Sequence, residues 1–170
     1  MKSCLSRRGF TTIEVIVVVA ILGILILSSY PAILNTMETR NLENSTRDIL
    51  TTLQLARFRS IDTKINHRVR FYQQDGGWRF ALEWEQAPDT WTTPPRTAVN
   101  SISSRFIVTV DLPASQSVEY SSIGFIEGYD STRNSIILQS LKLKSKNQPD
   151  LRTLQVLGGG SIRNLKSPSG

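Results

Sequence analysis

The chain has 170 residues, a formal charge of +6 and 39% hydrophobic residues, unevenly placed. That length suits one ordinary domain plus one long added element. Cys4 is the single cysteine, so an internal disulfide is excluded, and removal of residues 1–9 would also exclude a thiolate nucleophile or a cysteine metal site.

The charge is as uneven as the hydropathy. Lys2, Arg7 and Arg8 precede an apolar run, and from Val15 to Leu27 every residue is apolar or Gly. Without residues 1–9 the balance falls to 17 basic against 14 acidic residues. Residues 131–170 carry seven positives and one acid, Asp150. The basic character therefore gathers at the C-terminal end.

A basic start followed by an apolar run predicts a segment held with its positives in the cytoplasm. A secretory signal would follow that run with a small-residue cleavage site, and Leu25 to Pro31 offers a poor one. A plain single-span anchor is the simple alternative. Glu14 sets the segment apart. An acid deep in a bilayer costs about 2.5–3.5 kcal/mol on insertion scales, so it calls for a partner. No Lys or Arg occurs between Phe10 and Met37. Cleavage after Gly9 would create a partner, the new α-amine of Phe10, one helical turn from Glu14. Between neighbouring helices, such a pair would set the stagger of subunits, because a wrong register leaves a charge unpaired in hydrocarbon.

Arg8-Gly9-Phe10-Thr11-Thr12-Ile13-Glu14-Val15, with the apolar run behind it, resembles the class III leader of type IV pilins and type II secretion pseudopilins. The resemblance implies a membrane prepilin peptidase that cuts between Gly9 and Phe10 and N-methylates Phe10. It implies that Glu14 is the assembly glutamate. Pro31 falls where many pilins carry a helix-kinking proline.

Past Pro31, the residues Leu42, Thr46, Ile49, Leu53 and Ala56 recur at spacings of three and four. One helix is expected from about Thr11 to about Ile61, bending or loosening at Gly23 or Pro31. From Asn66 the period changes to two. His67–Tyr72 and Trp78–Trp84 read as strands around the turn Asp75-Gly76-Gly77. Residues 86–104 read as loop, with Pro88, Pro94 and Pro95. Further strands are expected at Arg105–Val110, Ser117–Tyr120, Ser135–Leu143 and Leu151–Leu157, with a short pairing at Ser161–Arg163. The fold class is α+β and pilin-like: a long N-terminal hydrophobic helix packed against an antiparallel β-sheet or β-sandwich domain of about six to eight strands. Its parts are a leader (1–9), a transmembrane or filament-core half-helix (10–30), an amphipathic half-helix (31–62) and a β domain (66–170).

Leu53–Ile61 leading into His67–Phe71 is similar to the helix end and first strand of the minor pseudopilin H and FimT family. Ser122-Ile123-Gly124-Phe125 resembles its mid-domain glycine turn, and Leu154–Gly160 with Ser161-Ile162-Arg163 its closing strand. A mature chain without a disulfide suits a minor, priming or tip subunit of a type IV pilus. The alternatives are a type II secretion pseudopilin and a DNA-binding minor pilin for natural transformation. The expected partners are other pilins or pseudopilins, prepilin peptidase, the inner-membrane assembly platform and, in the last case, DNA. The expected location is the bacterial inner membrane, single-pass, with the C-terminal domain in the periplasm, and then the filament.

Nothing points to an enzyme, a metal or a cofactor. The sequence lacks HExxH, CxxC, Walker and EF-hand patterns. His67 has no nucleophile elbow near it and reads as a solvated strand residue. Trp78, Trp84 and Trp91 read as packing residues rather than a platform. The basic end is the remaining lead. Lys142, Lys144 and Lys146 alternate, so they are expected on one strand face with Leu141 and Leu143 on the core side. With Arg152, Arg163 and Lys166 they form a candidate phosphate-binding patch, against an ordinary solvated strand face.

Overall fold

In a computed structural model the chain is described over residues 11–94, 99–113, 115–144 and 148–167, with side chains described except at 31, 32, 35, 142–144, 148 and 149. It divides into two compact units, Met1–Glu38 and Thr39–Gly170. One helix, α1 (Thr12–Thr63), contributes to both. Ten strands follow among the described residues: β1 (His67–Gln74), β2 (Gly77–Ala87), β3 (Thr90–Thr92), β4 (Asn100–Ser101), β5 (Phe106–Asp111), β6 (Ser117–Tyr120), β7 (Ile126–Glu127), β8 (Ser135–Lys144), β9 (Gln148–Val156) and β10 (Ile162–Ser167).

In the first unit α1 is mostly apolar on every side, Glu14 excepted, and Thr12–Tyr30 is 0% buried. At about 1.5 Å per residue this stretch matches a hydrocarbon core of roughly 30 Å. The helix continues through Pro31. Proline lacks the N–H that Leu27 would accept. Just upstream, the Ser28 and Ser29 hydroxyls both donate to the Leu25 carbonyl, at 2.9 and 2.8 Å.

In the second unit α1 is amphipathic. Leu42, Thr46, Ile49, Leu53, Ala56 and Ser60 are buried. Their spacings of four and three keep one stripe inward. The Thr46 hydroxyl is satisfied by the Leu42 carbonyl at 2.7 Å. The helix ends after Thr63, and Lys64 takes a left-handed φ of 58° as its C-terminal cap.

The strands form two antiparallel sheets. A six-stranded sheet runs β3-β2-β1-β6-β7, with β4 also on β2, and a four-stranded sheet runs β10-β9-β8-β5. β1 and β2 meet at Gln74↔Gly77 across Asp75 (φ 55°) and Gly76 (φ 73°). Positive φ at both central residues suits the twist of a tight hairpin, and Asp-Gly supplies it. Val69, Phe71, Phe80, Leu82, Val118 and Tyr120 of the first sheet, and Phe106, Ile136, Leu138, Leu154 and Val156 of the second, share one core with the helix stripe.

The loop expected at 86–104 differs from the structure: β3 and β4 both pair with β2, and Pro95 lies outside the described residues. For β3 the cause lies on the outer face of β1. Arg68 bonds Glu83 at 2.6 Å and Glu119 at 3.5 Å, and its guanidinium lies 4.2 Å from the centroid of Trp91. Stacking and charge together hold β3 over that face.

Two glycines tie the helix end to the sheets. Gly124 (φ 84°) lies under Ile61, and a Cβ there would meet Ile61 Cδ1 at 2.6 Å. Gly160 (φ 79°) lies against Gly124, and its carbonyl accepts Arg57 Nη1 at 3.2 Å.

Candidate functional site

The N-terminal site begins at Thr11. Its hydroxyl accepts the Glu14 N–H at 3.3 Å and its carbonyl accepts the same N–H at 3.1 Å. Thr11-x-x-Glu14 has the spacing of a capping box, and an acid in the first helical turn complements the helix dipole. Glu14 is exposed on an otherwise apolar surface, with neighbours such as Val15, Val17 and Val18 exposed beside it. The arrangement presents one carboxylate at the end of a lipid-compatible rod. Gly9 and Phe10, where the leader would be cut and methylated, lie outside the described residues.

The basic region is reorganised. Arg152 is buried, not on a surface patch. Its Nη1 pairs with Asp150 Oδ1 and donates to the Leu151 carbonyl at 2.9 Å. Both side chains are buried, at 6% and 7% exposure. The reason is parity: β9 turns Asp150, Arg152, Leu154 and Val156 inward. Lys166 reaches Glu43 on the helix at 3.3 Å, while Arg163 pairs in register with the outward Gln155. Arg163 and Lys166 therefore lie on opposite faces of β10.

Leu141 is also corrected. It is 59% exposed rather than turned to the core. Ile136, Leu138 and Ser140 set even positions of β8 inward, which leaves 141 outward. The pairing with β9 then slips between Gln139 and Leu143. The Lys142 and Lys144 side chains, and Lys146 altogether, lie outside the described residues. Of the six basic candidates, the described side chains thus do not form one surface.

Glu43 bridges the helix and the last strand. Hydrogen bonds from Lys166 first, and Arg47 next, hold its carboxyl below the usual carboxylate range.

His67 is buried, not solvated, because its parity on β1 matches Val69 and Phe71. Its Nδ1 lies 2.8 Å from the Ile65 carbonyl, so that nitrogen carries the proton and donates. Burial lowers its pKa, against the opposing pull of that bond. The folded state therefore binds fewer protons than the unfolded chain as pH falls through about 6.5, and stability declines there. Denaturant midpoints should fall from about pH 7.5 to about pH 5.5, and His67→Gln should flatten that slope. An unchanged slope in the variant would assign the pH dependence elsewhere. No group of three or more His, Cys, Asp or Glu side chains is placed to hold a metal among the described residues.

These features define a class: a chain with a membrane-compatible N-terminal helix carrying a first-turn acid, followed by an α+β domain of antiparallel sheets. The particular signature lies at the start. Residues 4–30 match the family described as the prokaryotic N-terminal methylation motif. The match supports a type IV pilin-like precursor, with a prepilin leader and a methylated N-terminus. No curated protein and no solved structure matches the chain.

The sequence pattern missed the Arg68–Glu83–Glu119–Trp91 cluster and the Asp150–Arg152 pair. For the second a signal existed. Opposite charges at i and i+2 in a strand share one face, and flanking Leu154 and Val156 mark that face as inward.

Proposed function

We propose that the chain is a minor pilin subunit of a type IV pilus, cut behind Gly9, N-methylated at Phe10 and assembled through its N-terminal helix. The leader is 1–9, residues 10–30 form the membrane and filament-core segment, residues 31–62 the amphipathic helix, and residues 66–170 the β domain. The precursor spans the bacterial inner membrane once, with its C-terminal domain in the periplasm, and then enters the filament, in initiation or at the tip. Prepilin peptidase, other pilins and the assembly platform are its partners, and its role is structural, not enzymatic.

The observation that carries this reading is Glu14 in the first turn of an exposed apolar helix, capped by Thr11 and lying inside the matched motif. An isolated acid at membrane depth is costly unless paired, and a freed amine on Phe10 supplies the pair. N-terminal mass spectrometry of the exported chain should find Phe10 first, carrying one methyl group. Glu14→Ala should leave the chain in the membrane fraction and remove it from sheared filaments. A chain that still starts at Met1, or normal incorporation of Glu14→Ala, would overturn the reading.

A type II secretion pseudopilin shares these N-terminal features, and loss of secretion rather than of pili on deletion would select it. The DNA-binding alternative is weaker. Arg152 is buried and Lys166 is paired, which leaves Lys142, Lys144, Lys146 and Arg163 to carry it.

A further inference from the structure

Among the described residues the four-stranded sheet has two free edges. β10 and β5 each pair on one side only, with β9 and β8 respectively. Both edges run for six residues. Proteins usually blunt such edges with Lys, Pro, bulges or a covering loop. β5, Phe-Ile-Val-Thr-Val-Asp, has none of these residues and a single charge, Asp111. β10 carries Arg163 and Lys166, and Lys166 is turned to Glu43 on the helix side.

The register aligns the outward residues in rows. Asp111, Ser135, Gln155 and Arg163 form one row across the sheet. Thr109, Ile137, Thr153 and Leu165 form the next. Ile107, Gln139, Leu151 and Ser167 form the third. The first row thus begins on an acid at one edge and ends on a base at the other; between them all three rows are uncharged. Charge depletion inside a rim of charge is the composition of an interface.

We propose that this sheet edge is a docking surface for a second copy of the same chain, with β10 of one copy adding to β5 of the next. Four antiparallel strands leave β5 and β10 running in opposite directions. A neighbour that continues the sheet with the usual inter-strand twist therefore sets its β10 antiparallel to β5, with inner faces kept inward. In the unshifted register Arg163 of one copy stands opposite Asp111 of the other, Leu165 opposite Thr109, and Ser167 opposite Ile107.

The charges favour this pairing over its rivals. Asp111 is half-exposed and already takes Arg133 at 3.4 Å, and a carboxylate accepts more than one donor. Arg163 is exposed and has no ion-pair partner among the described residues. β10 against β10 would bring two basic strands together. Head-to-tail pairing also repeats, because each addition leaves one free β5 and one free β10. A short edge gives a weak contact in solution, and confinement to a membrane or filament raises its effective concentration.

The proposal stands on sheet register and not on leader processing, so the two fail separately. The test uses the full chain in membranes, with Cys4→Ser to remove the native thiol. Thr109→Cys and Leu165→Cys chains carry different tags and are expressed alone and together, then oxidised. Within one copy the two sites are three strands apart, too far for a disulfide. Mixed disulfide dimers are expected in large excess over same-site dimers. Arg163→Asp should lose most of the mixed dimer, and Asp111→Arg with Arg163→Asp should regain it. No disulfide, equal yields of same-site and mixed dimers, or indifference to Arg163→Asp would overturn the proposal.

Discussion

Asp150→Ala is expected to cost the domain about 3–5 kcal/mol, since it leaves the buried Arg152 charge without its carboxylate. That is a large share of the roughly 5–15 kcal/mol that holds a typical domain folded. Arg152 cannot swing to water easily, because neighbouring Leu154 and Val156 fix the inward face of β9. Its Nη1 bond to the Leu151 carbonyl remains but does not neutralise it. Buried ion pairs of this kind are commonly no net source of stability. Asp150→Leu combined with Arg152→Met should fold about as well as the parent or better, because two desolvation costs disappear together. Trp78, Trp84 and Trp91 all lie in the β domain. Their fluorescence in a denaturant titration reports that unit rather than the apolar helix. A midpoint for Asp150→Ala equal to the parent would contradict the ion-pair argument.

Gly160→Ala should rank next, at about 3 kcal/mol. The residue has φ 79°, a conformation that a Cβ disfavours. A Cβ would also sit 2.3 Å from the Gly124 carbonyl oxygen and 2.9 Å from Arg57 Nε. The first obstacle is backbone, so relief requires the 121–125 turn to move and the Arg57 bond to loosen. Gly159→Ala is the matched control. It has open space within 4 Å and no left-handed φ, so its effect should stay within about 0.5 kcal/mol. Similar losses from both variants would mean that the glycine contact does not bear the load assigned to it.

Legibility in the sequence followed the strength of the local period. The helix stripe from Leu42 to Ala56 was readable because five inward residues repeat without a break. The β1–β2 hairpin was readable because Asp75-Gly76 has few other conformational uses. β6 has the bounds that its alternation suggested, Ser117–Tyr120. β3, β4 and β7 span two or three residues each, too short to show any period. Trp91 finds Arg68 through tertiary stacking that no local pattern announces.

The candidate site was legible only in part. The N-terminal motif lies in consecutive residues, so Glu14 stood out by its neighbours alone. The basic region depended on facing, and facing depends on where a strand is anchored. Alternating lysines at 142, 144 and 146 fixed a parity but not which side was inward, and Leu141 turned out exposed. The slip between Gln139 and Leu143 breaks any parity carried across it.

The buried helix positions 42, 49 and 56, and likewise 46, 53 and 60, recur every seven residues, two inward positions per heptad. An ideal helix turns once in about 3.6 residues, so such a stripe drifts by about 20° per heptad and must coil gently to stay seated. Segment length is consequently part of the code there. Inserting or deleting one residue between Leu42 and Ala56 would swing every preceding inward side chain by about 100°, over a quarter-turn, and no neighbouring loop could absorb it. Evolutionary length changes should therefore be confined to surface turns, while this spine keeps its count.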